Sequence, residues 1–244
     1  MRKARIAVWN LERPPKLSAA TRKAQIEKMV RTDADLWILS ESATTTAIPG
    51  YHDCHSARAA GYHQVDECAA SVLSRWPLGA RIETFAPTFA VCVEIPETPL
   101  GPLVVYASLI PYAGYKGPDG KSGYWVEHRK SIEAHAKDWR AIRCMERYRN
   151  HYFIAGGDYN QRLDDAIWYG NSESKALLQQ GLKEAGLECL TALDFGASHQ
   201  LSRGNIDHLC VSEGLRSCVR SVTPWEGTED VKMSDHNGVL VELS

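Results

Sequence analysis

With 244 residues, 44% of them hydrophobic and 24% charged, the chain has the composition of a globular protein large enough to bury a substantial core, and it carries no low-complexity run, repeat or linker-like tract. Its 28 basic and 30 acidic residues give a net charge of −2, which is not the basic footprint of a protein that lives on long nucleic acid and favours small or locally engaged substrates. The seven cysteines form no CxxC pair and read as reduced thiols, and an N-terminus without a signal-peptide core leads us to expect one cytoplasmic domain over residues 1–244.

Residues 5–9 alternate into an apolar strand that ends on Asn10, and Pro14-Pro15 breaks it into a loop. Ser18 caps a covering helix with Ile26, Met29 and Val30 on one face. A second strand, residues 35–41, is apolar almost throughout, as a strand buried on both faces is, and it exits on Glu41. The polar segment 44–58 is weakly patterned. His52, Cys54, His55, His63 and Cys68 match no standard zinc spacing. Strands follow at 69–78, 81–85, 89–95 and 103–109, with short Pro- or Gly-containing turns that imply antiparallel meanders.

A Gly-rich aromatic loop, 111–123, leads into a helix predicted over 124–149, with Ile132, Ala136, Trp139, Ile142 and Met145 on one face and a solvated basic face. The apolar run 153–155 then ends on Gly156-Gly157 and presents Asp158 and Asn160. Residues two apart on extended backbone point the same way, so both side chains can reach one point, where a carboxylate orients water and a carboxamide donates to a developing oxyanion. A strand end with an Asx-turn would have the same sequence. A loop over 161–172 holds Arg162 and Trp168, a helix over 173–185 closes at Gly186, and strands are expected at 187–190, 206–211, 217–222 and 238–243. Asp235 and His236 immediately precede the last strand.

WN at 9–10, LSE at 39–41, LSRWPL at 73–78, GGDYN at 156–160, RGNIDHLCVS at 203–212 and SDHNGVLVEL at 234–243 resemble, in that order, the motifs of the endonuclease/exonuclease/phosphatase superfamily. The resemblance implies a four-layer αββα sandwich of two stacked mixed β-sheets flanked by helices, with a Mg²⁺-dependent (or Mn²⁺-dependent) phosphoester-cleaving site at one end. It also implies that Asn10, Glu41 and Asp235 help bind the metal, that Asp158 activates water, that Asn160 and His236 contact phosphate, and that Asp207 orients His236. These residue types suit such chemistry, because hard Mg²⁺ takes oxygen ligands and an imidazole held by a carboxylate stays protonated beside phosphate. Where many members carry a His or Tyr at a strand end, this chain has Ser108 to Tyr112, so that either Tyr112 reaches the site from the loop or the role is absent.

Substrate choice lies in loops. Tyr112, Tyr115, Trp168 and Trp225 are expected in loops where they can stack on a base, and Arg162 and Lys116 can meet phosphate. A metal-dependent nuclease or phosphodiesterase is the first expectation and a phosphatase for a small metabolite or lipid headgroup the second. A silent binding module is disfavoured by the intact Glu41, Asp158, Asn160, Asp235 and His236.

Overall fold

A computed structural model describes residues 4–59, 63–165, 169–228 and 231–244. Among these residues twelve strands form two six-stranded sheets. The first holds β1 (Ala4–Asn10), β2 (Leu36–Ala43), β3 (His52–His55), β4 (Glu67–Ser74), β11 (Val219–Trp225) and β12 (Gly238–Leu243) in the order β11-β12-β1-β2-β4-β3. The second holds β5 (Arg81–Ile82), β6 (Ala90–Ile95), β7 (Leu103–Leu109), β8 (Tyr152–Asp158), β9 (Leu187–Cys189) and β10 (Asp207–Ser212) in the order β5-β6-β7-β8-β10-β9.

The sheets stack through Ile6, Val8, Ile38 and Val72 of one and Val93, Val105, Ile154 and Leu209 of the other. On the outer face of the first sheet, Trp9, Trp37, Leu39 and Trp225 pack with Met29 of helix α1 (Ala19–Thr32). Across the molecule Tyr106, Phe153 and Cys210 pack with Ile132 and Trp139 of α2 (Val126–Arg143) and Leu178 and Leu182 of α3 (Ser172–Glu184). The result is the expected helix–sheet–sheet–helix sandwich. Among the described residues no helix is long and apolar enough to cross a membrane.

Two parallel pairs place the site. β1 runs parallel to β2, and β7 to β8, because each pair is joined through a helix, α1 and α2 respectively, rather than a tight turn. Parallel strands bring their C-terminal ends to one edge, so Asn10 at the end of β1, Glu41 near the end of β2 and Asp158 at the end of β8 share it. β10 runs antiparallel to β8 and therefore starts there, with Asp207 opposite Asp158.

Several expectations shift. Helix α2 stops at Arg143 and a 3-10 turn, Glu146–Tyr148, replaces its expected end, so Met145 is exposed and not on the buried face. The expected strand at 81–85 shortens to Arg81–Ile82, while His52–His55 adds an edge strand to the polar segment. Pro224 lacks an N–H yet sits inside β11, which the sheet tolerates because β11 is an edge. The strand therefore carries Trp225 into the core against Trp9 and Trp37, with ring centroids 5.7 and 6.1 Å apart, and this ring is not a loop platform.

Gly157 explains one of the two glycines of the central motif. Its φ is 133°, and a Cβ there would lie 1.8 Å from the Ser108 carbonyl oxygen of the neighbouring strand. Gly157→Ala should destabilise the protein by about 2 kcal/mol or more, read as a fall in melting temperature. An unchanged melting temperature would contradict this packing.

Candidate active site

The cleft at the shared edge has a volume of about 330 Å³ and includes Glu41, Asp158, Asn160, Asp207, Asp235 and His236 in its lining. Asp158 is fully buried and is held from both sheets. Its Oδ2 accepts from Asn10 Nδ2 and from Asn160 Nδ2, each at 3.0 Å, and its Oδ1 accepts from the Asn160 N–H at 2.8 Å. Ser40 Oγ accepts from the Asp158 N–H at 2.8 Å, fixing the backbone of β8 against β2. Burial pushes the Asp158 carboxyl up to about 8, with Asp207 and Glu41 adding to the rise and the His236 charge and Asn160 N–H opposing it.

His236 reaches the cleft from a loop stapled to the tip of β1. Ser234 Oγ donates to Asn10 O at 2.7 Å and accepts from the His236 N–H at 3.0 Å, while Trp9 Nε1 donates to His236 O at 3.2 Å. Gln25 of α1 bridges Leu11 O and Met233 O at 2.8 and 2.7 Å, and Glu12 Oε2 accepts from the Asp235 N–H at 2.9 Å. The imidazole Nδ1 meets Asp207 Oδ2 at 2.7 Å, and Nε2 faces Asp158 Oδ2 at 3.9 Å and Asp235 Oδ1 at 3.8 Å. Burial alone would lower the histidine's pKa, but the carboxylates of Asp207, Asp158 and Asp235 outweigh it and raise the value to about 10. These carboxylates favour the protonated ring.

Asp158, Asp207 and His236 each bring a donor atom within 4.8 Å of the others. These three side chains are close enough together to hold a metal ion, and the contact of Asp207 with Nδ1 also ties them into an ion-paired array. Glu41 and Asp235 add two more carboxylates to the lining of the cleft. Glu41 occupies left-handed backbone at φ 46°, a strained conformation of the kind that gathers at functional sites. Burial, above all, raises its carboxyl pKa, and Asp158 and Asp235 add negative charge nearby. An oxygen-only set with excess negative charge suits a hard divalent ion.

The other expected residues take different places. Tyr112 lines the cleft at half exposure, and Asn10 lies behind the lining, fully buried. Arg162 is a correction: it is 3% exposed and pairs with Asp164 at 2.5 Å, so its guanidinium is spent inside the fold and does not line the cleft. Trp168 lies outside the described residues. Tyr115 packs edge-on against Phe89 at 5.9 Å. Asn160, also at φ 46°, directs its amide hydrogens to Asp158 Oδ2 and to Ile110 O, each at 3.0 Å, and accepts from Tyr169 Oη at 2.9 Å. Sequence reasoning missed Tyr169, Arg203 and Asn205 in the lining. The last two lie within the RGNIDHLCVS motif, just ahead of β10, and an exposed arginine leading a site strand was a usable signal.

A model of the Endonuclease/Exonuclease/phosphatase family matches residues 7–236. No curated protein is matched by the sequence. Among solved structures, the 3'-5' exonuclease NExo of Neisseria meningitidis aligns with a TM-score of 0.69 at 17% identity, covering 98% of this chain and 99% of that one. An AP endonuclease of Archaeoglobus fulgidus aligns at 0.69 and 11% identity over 98% of both chains. The human Nocturnin catalytic domain aligns at 0.70 and 14% identity over 99% of this chain and 94% of that one.

Proposed function

The chain belongs to the Endonuclease/Exonuclease/phosphatase family and is a phosphoester hydrolase, and on that premise we propose that it is a divalent-metal-dependent phosphodiesterase or nuclease working in the Asp158–His236 cleft. The observation that carries the reading is the placement of one buried carboxylate, gripped by two asparagines, beside a histidine paired through Nδ1 with a second carboxylate.

Glu41 and Asp235, with Asn10 beside them, would hold Mg²⁺ or Mn²⁺, which when bound neutralises phosphoryl charge and lowers the pKa of nearby acids and water. Asp158 orients a water and takes its proton as the water oxygen forms a bond to phosphorus and the ester P–O bond breaks, the leaving oxygen departing with the bonding pair and taking a proton from solvent. His236, fixed by Asp207 through Nδ1, gives its Nε2–H to a phosphoryl oxygen and stabilises the growing negative charge. Asn160 orients Asp158. A phosphoryl contact from its amide requires release of Ile110 O, so Asn160 serves first as a positioning residue.

Two experiments test this reading. Isothermal titration of Glu41→Gln should show Mg²⁺ or Mn²⁺ binding weakened roughly tenfold or more, and wild-type affinity in that variant would remove Glu41 from the metal set. Turnover of bis(p-nitrophenyl) phosphate should exceed that of the monoester p-nitrophenyl phosphate. The opposite preference would support the phosphatase reading.

A further inference from the structure

Hydrolysis leaves the aromatic rim of the cleft unused. The loop between β7 and α2 is closed on itself: Tyr115 N–H donates to Tyr112 O at 3.0 Å, Ser122 N–H to Lys116 O at 2.9 Å and Trp125 N–H to Ala113 O at 2.8 Å. This brings together two exposed rings, Tyr112 at 50% and Tyr124 at 71%. A Cβ on Gly114 would sit 3.1 Å from Tyr112 Cε2 and 3.6 Å from Tyr124 Cε2, so the edges of the two rings border the same glycine.

This rim is tied to the chemistry. Trp125 occupies left-handed backbone at φ 66°, an outlier for a bulky residue, and stands edge-on to Tyr169 at 6.3 Å and to His128 at 4.8 Å. Tyr169 in turn donates to Asn160 Oδ1. Arg203, also in the lining, is exposed, and its guanidinium has no carboxylate partner among the described residues.

We propose that this rim binds single-stranded nucleic acid, with unpaired bases stacked on Tyr112 and Tyr124 and a backbone phosphodiester presented to Asp158 and His236. The proposal rests on the phosphodiesterase reading and narrows it. Flat π faces beside a cleft lined by Asn205, Asp207 and Asn237 suit a base carried on a phosphate and not an acyl chain. Tyr112 lines the cleft and Tyr124 lies outside its lining, so a ligand covering both rings extends past one nucleotide. Bases paired inside a duplex cannot reach either ring. Arg203 is placed to meet a neighbouring phosphate.

The test is a binding measurement in Asp158→Asn with Mg²⁺ present, which keeps the strand intact. Fluorescence anisotropy would compare a labelled thymidine hexanucleotide, a hexamer of equal charge with abasic residues, and a blunt DNA hairpin. The base-bearing strand should bind roughly tenfold or more tightly than the abasic strand, and the hairpin should bind as weakly as the abasic one. Tyr124→Leu and Tyr112→Leu should each reduce the base preference at least about threefold, while Tyr124→Phe should retain it. Equal affinity for base-bearing and abasic strands, a hairpin bound as tightly as the single strand, or an unaltered preference in Tyr124→Leu would overturn the proposal. Because the readout is binding, its failure is distinct from failure of the hydrolytic reading, which shows as loss of turnover on every diester.

Discussion

Asp158→Asn should lower turnover by about two orders of magnitude or more while the protein remains folded. The substitution keeps the shape of the side chain and removes its capacity to take a proton. Three N–H donors converge on the two carboxylate oxygens, so whichever way the new amide turns, one of its hydrogens opposes a donor, at a cost of about 1 kcal/mol. Relief of the buried charge, whose burial raises the Asp158 pKa, offsets part of that cost. Circular dichroism and melting temperature should therefore change little. Near-wild-type turnover from the folded variant would make the central strand end a structural feature alone.

The second large effect is the coupling of Asp207 with His236. Asp207→Ala and His236→Ala should each cut turnover strongly, on the order of a hundredfold, and the double variant should be little worse than the more damaging single one. The reason is geometric. Asp207 acts through the 2.7 Å contact to Nδ1, so once the ring is gone its carboxylate has nothing left to orient. In Asp207→Ala the histidine pKa should also fall, because the first of the carboxylates that raise it has been removed, and an NMR titration of the ring reads this independently of turnover. Fully multiplicative losses in the cycle, with an unmoved histidine pKa, would mean that the two residues act separately.

Much of the site is legible in the sequence because its residues stand where apolar runs stop. Asn10, Glu41 and Asp158 each end or nearly end a buried strand, and parallel pairing sends strand ends to one edge, so chain order alone collects them. Asp235 and His236 precede β12, which runs antiparallel to β1 and so begins at the same edge. What the sequence hides is burial inside loops. Arg162 looks like a loop cation until Asp164, two residues on, is seen to neutralise it in the interior. Trp225 looks like a loop aromatic because Pro224 seems to end the strand, yet an edge strand accepts the missing N–H. Tyr169 carries no motif, and its role depends on a hydrogen bond to Asn160 that only the folded loop creates.

Metal dependence of diester cleavage tests the hydrolytic reading most directly. Purified protein stripped with EDTA should not turn over a generic phosphodiester, and Mg²⁺ or Mn²⁺ should restore cleavage in the wild type and not in Asp158→Asn. Cleavage that persists in EDTA, or equal restored activity in Asp158→Asn, would contradict a metal-dependent hydrolase built on this cleft.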